Sequence, residues 1–290
     1  MRSNIFRFFV FLLPILIFIA ILYFLIFWTF AISFCESTGF KTSLQVVCLK
    51  NYLNVFQWDR FWIALKNNIV WLFLLVVPAV FLGLILAYLV NLSGKLSIVF
   101  RPIILLPMAL SPVVIGTLWS WMYAPEDGAI NVIFRFLRLN SLAKAWLADP
   151  KLAFMSIIVS SIWLFSGFAM IIYFAALRSI PPSMIESAEV DGASGLRILF
   201  HVIFPNLMRP TLIATAMLVI FCLKAIFPLV WTMTRGGPLN STEVLPHLMY
   251  ITAFERVEYG SGAVIGVVIF LLATAIIVPY ARWFMRRWFR

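Results

Sequence analysis

Ser183-Met184-Ile185-Glu186-Ser187-Ala188-Glu189-Val190-Asp191-Gly192-Ala193, running on through Ser194 to Phe204-Pro205, is a polar, helix-punctuated stretch inside an otherwise lipid-like chain. Ser183 followed three residues later by Glu186 has the spacing of a capping box, so a short helix is expected to start there. Gly192 supplies the left-handed residue that ends such a helix. Ser194 is placed to cap a second helix with Leu196, Leu199, Phe200 and Ile203 on one face, and Pro205 is expected to stop it. The expected product is two short helices joined at a glycine.

The rest of the chain calls for a membrane. Hydrophobic residues make up 64% and charged residues 11%, too little polar surface to cover a water-soluble globule. A bilayer span needs about 20 apolar residues, and candidate stretches run roughly 8–31, 69–91, 102–123, 152–176, 211–232 and 260–281. The fold class expected is all-α, a polytopic protein of six membrane helices read as one domain over residues 1–290, with residues 178–210 as a loop on the side of both termini. The first stretch has an apolar run of about 24 residues and no small-x-small site after it, which reads as a retained helix rather than a cleavable leader.

The loop resembles the EAA loop of binding-protein-dependent ABC import permeases, in which Glu-Ala-Ala is followed after three residues by Gly and after nine more by Ile-x-Leu-Pro. Here the positions read Glu186, Ser187, Ala188, then Gly192, then Val202, Phe204 and Pro205. Ser187, Val202 and Phe204 depart from the pattern by small changes of shape. Leu177-Arg178-Ser179-Ile180-Pro181-Pro182 before the loop and Met233-Thr234-Arg235-Gly236-Gly237-Pro238 after it are similar to the carbohydrate, maltose-type subfamily. The resemblance covers roughly residues 60 to 280 and implies the type I importer permease fold. It also implies that Glu186, Ser187, Ala188, Asp191, Gly192, Val202, Phe204 and Pro205 couple the chain to a separate ATPase. The implied partners are a second, non-identical permease, two ATPase subunits that bind ATP and magnesium, and an external solute-binding protein. The implied location is the inner membrane of a prokaryotic cell.

Basic residues bear on orientation. The side of the termini carries eleven, among them Arg2, Arg7, Lys95, Arg101, Arg178 and the closing Arg282, Arg286, Arg287 and Arg290, while the opposite side spreads ten over a longer stretch. That density places both termini in the cytoplasm. The same scatter at membrane edges argues against nucleic acid, which selects a basic stripe.

No catalytic constellation and no cofactor of the chain's own is expected. Gly94-Lys95 lacks the upstream glycine of a phosphate loop, and the acids lie outside the spans. Three cysteines without a CxxC pair and two distant histidines give no metal site. Cys35 and Cys48 share the first external loop, where an oxidising compartment would let them bridge, free thiols being the alternative.

Lys224 stands near the middle of the fifth span, where a charged side chain costs about 2.5–3.5 kcal/mol and must face protein or water. Pro228, four residues on, cannot donate to the Lys224 carbonyl. Met217, Ile220, Phe227 and Trp231 fall near the same face at helical spacing, and aromatic walls suit the apolar faces of sugar rings. Lys224, Phe227 and Trp231 are therefore the candidate solute pathway, with Trp163 and Ser166 of the fourth span and Tyr259 at the start of the sixth. A lysine paired for packing alone is the competing reading. Trp119 and Trp121 read as interfacial belt residues. The function expected is inward transport of a sugar or oligosaccharide. The alternatives are a phosphorylated solute such as glycerol phosphate, suggested by Lys224, and an ion-coupled secondary carrier, which would want acids within the spans.

Overall fold

The computed structural model describes residues 2–36 and 45–288, with the backbone alone for residues 2–11, 196, 199, 200, 224, 284, 287 and 288. In order the chain forms α1 (Arg2–Ser33), an antiparallel pair β1 (Cys35–Glu36) and β2 (Gln45–Val46), α2 (Lys50–Phe56), α3 (Asp59–Leu92), α4 (Ser97–Ala109), α5 (Pro112–Met122), α6 (Ala129–Phe136), α7 (Ala153–Ser179), α8 (Pro182–Val190), α9 (Gly195–Ile198), α10 (Phe204–Asn206), α11 (Met208–Met233), α12 (Leu245–Tyr250) and α13 (Tyr259–Trp288). One-turn π segments follow α9 at Leu199–Ile203 and α12 at Ile251–Glu255.

Among the described residues, Leu12–Ser33, Asp59–Leu92, Ala153–Ser179 and Tyr259–Trp283 are each long and apolar enough to cross a membrane. The other two expected spans are bent. Residues Met208–Leu223 and Ala225–Met233 meet at 47°, a turn before Pro228 leaves the Lys224 carbonyl without its helical donor. The third span is bent more strongly at Ser111-Pro112, where a proline in the span points to a break: Gly94–Ala109 and Pro112–Met122 diverge by 99°. Ser111 precedes a proline, which disfavours the helical region, and it is extended at φ −69° and ψ 148°. Its hydroxyl then accepts from Val114 N at 3.3 Å and starts α5 afresh.

The chain divides into two compact units, Met1–Trp62 with Leu248–Thr274, and Ile63–His247 with Ala275–Arg290. In the first, the buried Asn51 donates to Ser33 O at 3.0 Å and Cys35 O at 2.9 Å, satisfying carbonyls that the end of α1 leaves open. Gly260 opens α13 so tightly against this corner that a Cβ would meet Cys35 O at 2.6 Å. Phe30 packs edge-on to Phe270 with centroids 5.9 Å apart. Cys35 and Cys48 are both free, so the bridge is not formed; Cys35 Sγ donates to Ala31 O at 3.3 Å instead.

In the second unit α7 is the central helix. Its small residues let neighbours approach closely, as in other membrane helix packings: Gly83 of α3 lies on Ala169, and a Cβ on Gly167 would come within 2.5 Å of Ile104 O in α4. Phe165 and Phe168 of α7 hold Phe221 of α11 at 5.8 and 5.0 Å. Tyr173 donates to Thr211 Oγ1 at 2.9 Å and Tyr280 to Leu212 O at 2.5 Å, tying α7 and the end of α13 to α11. At the end of α7 nearest the loop, the guanidinium groups of Arg101 and Arg178 lie 4.7 and 5.4 Å from the centroid of Phe174.

Candidate functional site

The 178–210 loop has the helix, glycine and second helical segment expected of it, with two corrections. α8 begins at Pro182, with Pro181 in the cap position and no side-chain cap bond. Ser183 therefore lies inside the first turn, its carbonyl accepting from the Ser187 hydroxyl at 2.7 Å, and no capping box forms. Proline's fixed φ suits the first helical position, which moved the start ahead of the serine. Gly192 is left-handed at φ +74°. Gly192 N donates to Glu189 O at 3.0 Å and Ala193 N to Ala188 O at 2.9 Å, the paired bonds of a Schellman ending. Pro205 does not stop the second segment. The wide π turn at Leu199–Ile203 passes into α10, where Pro205 sits in the first turn and needs no donor.

α8 has no buried residue. Glu186, Ser187, Asp191 and Gly192 are exposed and Ala188 is half-buried, while Val202 is half-buried and Phe204 and Pro205 are exposed. Val190 is 88% exposed at the tip. The second segment is anchored by Ile198 and Leu207, both buried.

On α11, Trp231 is the middle of a ring cluster. Its neighbours are Phe227 at 5.9 Å, His247 at 5.7 Å and the Arg235 guanidinium at 5.2 Å. Lys224 lies about two turns before Trp231, at the bend; its side chain is outside the described residues. Trp163 does not join this cluster. It packs at 5.8 Å against Trp119, which in turn lies tilted by 36° at 5.2 Å from Tyr123. Trp119 is thus half-buried in an aromatic group, whereas Trp121 is 74% exposed. Ser166 is buried and donates to Trp163 O at 3.3 Å. Tyr259 belongs to the other unit, at the first turn of α13.

Residues 79–290 match the family of binding-protein-dependent transport system inner membrane components. The chain belongs to this family. Among similar proteins, a probable ABC transporter permease of Pyrococcus horikoshii is 42% identical over 94% of each chain. The xylose/arabinose import permease XacH of Haloferax volcanii is 36% identical over 87% of this chain and 80% of that one. The trehalose/maltose transport system permease MalF of Thermococcus litoralis is 28% identical over 88% and 85%. A crystal structure of a bacterial ABC transporter that imports the acidic polysaccharide alginate contains a chain of the same fold, with TM-score 0.76, 23% identity and 96% coverage of both chains.

This inner membrane component carries a polar cluster that sequence reasoning missed, in the connection from α11 to α12. Asn67 Nδ2 in α3 donates to Ser241 O at 2.9 Å and Glu243 O at 2.8 Å, and Leu245 N donates to Asn68 Oδ1 at 2.7 Å. The Thr234 and Thr242 hydroxyls share a bond of 2.7 Å, and Thr242 Oγ1 also reaches Gly237 O at 2.7 Å. Glu243 and His247 are wholly buried, 2.6 Å apart between Oε1 and Nδ1. The available signals were the Asn67-Asn68 pair beside an apolar run and an acid and a histidine at helical i, i+4 spacing.

Proposed function

We propose that this permease is one of two non-identical membrane subunits of an ATP-driven importer that takes a sugar or oligosaccharide from an external solute-binding protein and releases it inside the cell. ATP and magnesium bind on two separate ATPase subunits, which engage the 178–210 loop from the cytoplasm, where both termini also lie. The observation that carries this reading is the state of α8. A nine-residue helix with no buried residue, a fixed left-handed ending and a bare valine at its tip is a poor autonomous surface element. It is a good fit to a cleft supplied by another protein, because exposed apolar groups rimmed by charge are what interfaces cover.

Sugar as the solute is supported by the relatives that transport xylose and arabinose or trehalose and maltose, and by the aromatic face of Phe227 and Trp231 on α11. Coupled in this way, closure of the ATPase pair moves the loop, and the bends at Ser111 and Lys224 are where the connected helices have the fewest backbone bonds to resist. The test is uptake into vesicles reconstituted with the permease pair, the ATPase and the solute-binding protein, using labelled glucose, xylose, maltose and trehalose. Uptake of at least one that requires both ATP and the binding protein is expected. Uptake of none, or uptake indifferent to ATP, overturns the proposal.

A further inference from the structure

We infer that the buried Glu243–His247 pair is a positioning device for the aromatic rings at the end of α11, and so sets the affinity of the permease for its solute. This rests on the reading that Phe227 and Trp231 border the solute pathway. A carboxylate only accepts, so the imidazole donates from Nδ1 across the 2.6 Å to Glu243 Oε1. That bond fixes the ring plane. The fixed ring then lies 5.7 Å from Trp231 and 6.3 Å from Phe227, centroid to centroid, touching both aromatic residues of the proposed pathway from one side.

The pair is itself held from three directions. Gly236 is left-handed at φ +81°, and a Cβ there would stand 2.7 Å from Glu243 Oε2 and 3.0 Å from His247 Cε1, so the backbone closes directly over the two side chains. Asn67 fixes the Glu243 carbonyl and Asn68 the amide of Leu245, which holds Glu243 just ahead of α12 and His247 in its first turn. Arg235, adjoining that glycine, covers Trp231 with its guanidinium. Both members of the pair have no exposure to solvent, so neither is offered as a solute contact. They act through the rings.

Burial of an acid and a base in one dry spot is demanding, and an all-apolar packing would fill the same volume. What the hydrogen-bonded pair adds is a single orientation for a ring that apolar contacts alone would let tilt. Tilting His247 leaves Trp231 free to change rotamer, and the wall presented to solute changes with it.

The experiment is a double-mutant cycle in the reconstituted transporter, with uptake measured against concentration for whichever of labelled glucose, xylose, maltose or trehalose the wild type moves. H247F keeps a flat ring without the Nδ1 donor, and E243L removes the acceptor. Each is expected to raise KM about tenfold while kcat falls by less than about threefold. E243Q keeps an acceptor oxygen and is expected to stay within about twofold of the wild-type KM. W231A is expected to raise KM alone, and W231A/H247F to raise it no further, because the histidine works through the tryptophan. A wild-type KM for H247F, or KM increases that multiply in the double variant, overturns the inference. So does a failure of both H247F and E243L to assemble with their partners, which makes the pair structural only. If W231A itself leaves KM unchanged, the pathway reading fails first and takes this inference with it.

Discussion

Gly192→Val tests the proposed coupling role of the 178–210 loop at the residue where the local physics is simplest. Nothing lies within 4 Å of a Cβ built at Gly192, so the substitution meets no steric wall in this chain. The whole penalty comes from the backbone, held at φ +74°, where an L side chain costs about 1–2 kcal/mol and a β-branched one sits at the upper end. α8 has no buried residue to oppose that penalty. A change of this size therefore shifts the balance between the Schellman-ended and unwound loop by about 5–30-fold. Gly192→Asn should lose little, since asparagine tolerates the left-handed region, and Gly192→Ala should fall between. The assay is ATP hydrolysis stimulated by the solute-binding protein, with uptake measured in parallel in reconstituted vesicles. Both should fall in the order Asn, Ala, Val, while the amount of assembled complex stays constant. Wild-type rates for Gly192→Val refute the reasoning. Equal loss in all three variants refutes it too, because side-chain bulk at a partner surface would then be responsible instead of φ.

Gly167→Leu drives a side chain into the Ile104 carbonyl of α4, which lies 2.5 Å from the position of a Cβ and cannot rotate away. Overpacking of this kind costs about 1–3 kcal/mol, and an unchanged thermal midpoint in detergent would contradict the close α4–α7 packing. Asn67→Leu leaves the Ser241 and Glu243 carbonyls without their donor, at about 1–3 kcal/mol for each buried group; limited proteolysis should cut the segment 234–247 faster, and identical cleavage would refute the pinning role. Lys224→Cys, in a background with Cys35, Cys48 and Cys222 replaced, should react with a small water-soluble thiol reagent at a rate that changes with nucleotide state, as a position at the α11 bend facing the pathway requires. Absence of labelling in every state removes Lys224 from the pathway.

What could be read from the sequence follows the range of the interactions involved. Gly192 was legible because a Schellman ending is closed by bonds within five residues, Ala193 to Ala188 being the longest. The membrane helices were legible because a bilayer filters on length and apolarity alone, and the Ser111-Pro112 break was marked by its proline. Its 99° angle was not, since that depends on which neighbour each half packs against. Local rules also misled where two of them competed. Ser183 has the right spacing for a cap, but Pro182 suits the first helical position and displaced it. Pro205 is a breaker in a continuous helix and harmless at the start of a new one, and the π turn before it makes that new start.

The polar cluster around Glu243 and His247 shows the limit most clearly. The pair itself is only four residues apart, yet its burial is decided by Gly236 closing over it and by Asn67, which stands 176 residues away from the carbonyl it binds. Taken singly, each of these residues has an ordinary explanation as a loop asparagine, a turn glycine or a solvated acid. Only their convergence distinguishes an ordered support from a solvated loop, and convergence over that separation is a property of the packed helices. The same argument explains why Phe227 and Trp231 could be placed on one face from periodicity while nothing in the sequence joined His247 to them. Helical spacing brings i and i+4 together without help, whereas His247 reaches Trp231 only after the chain has turned back at Gly236-Gly237-Pro238 and been fastened to α3.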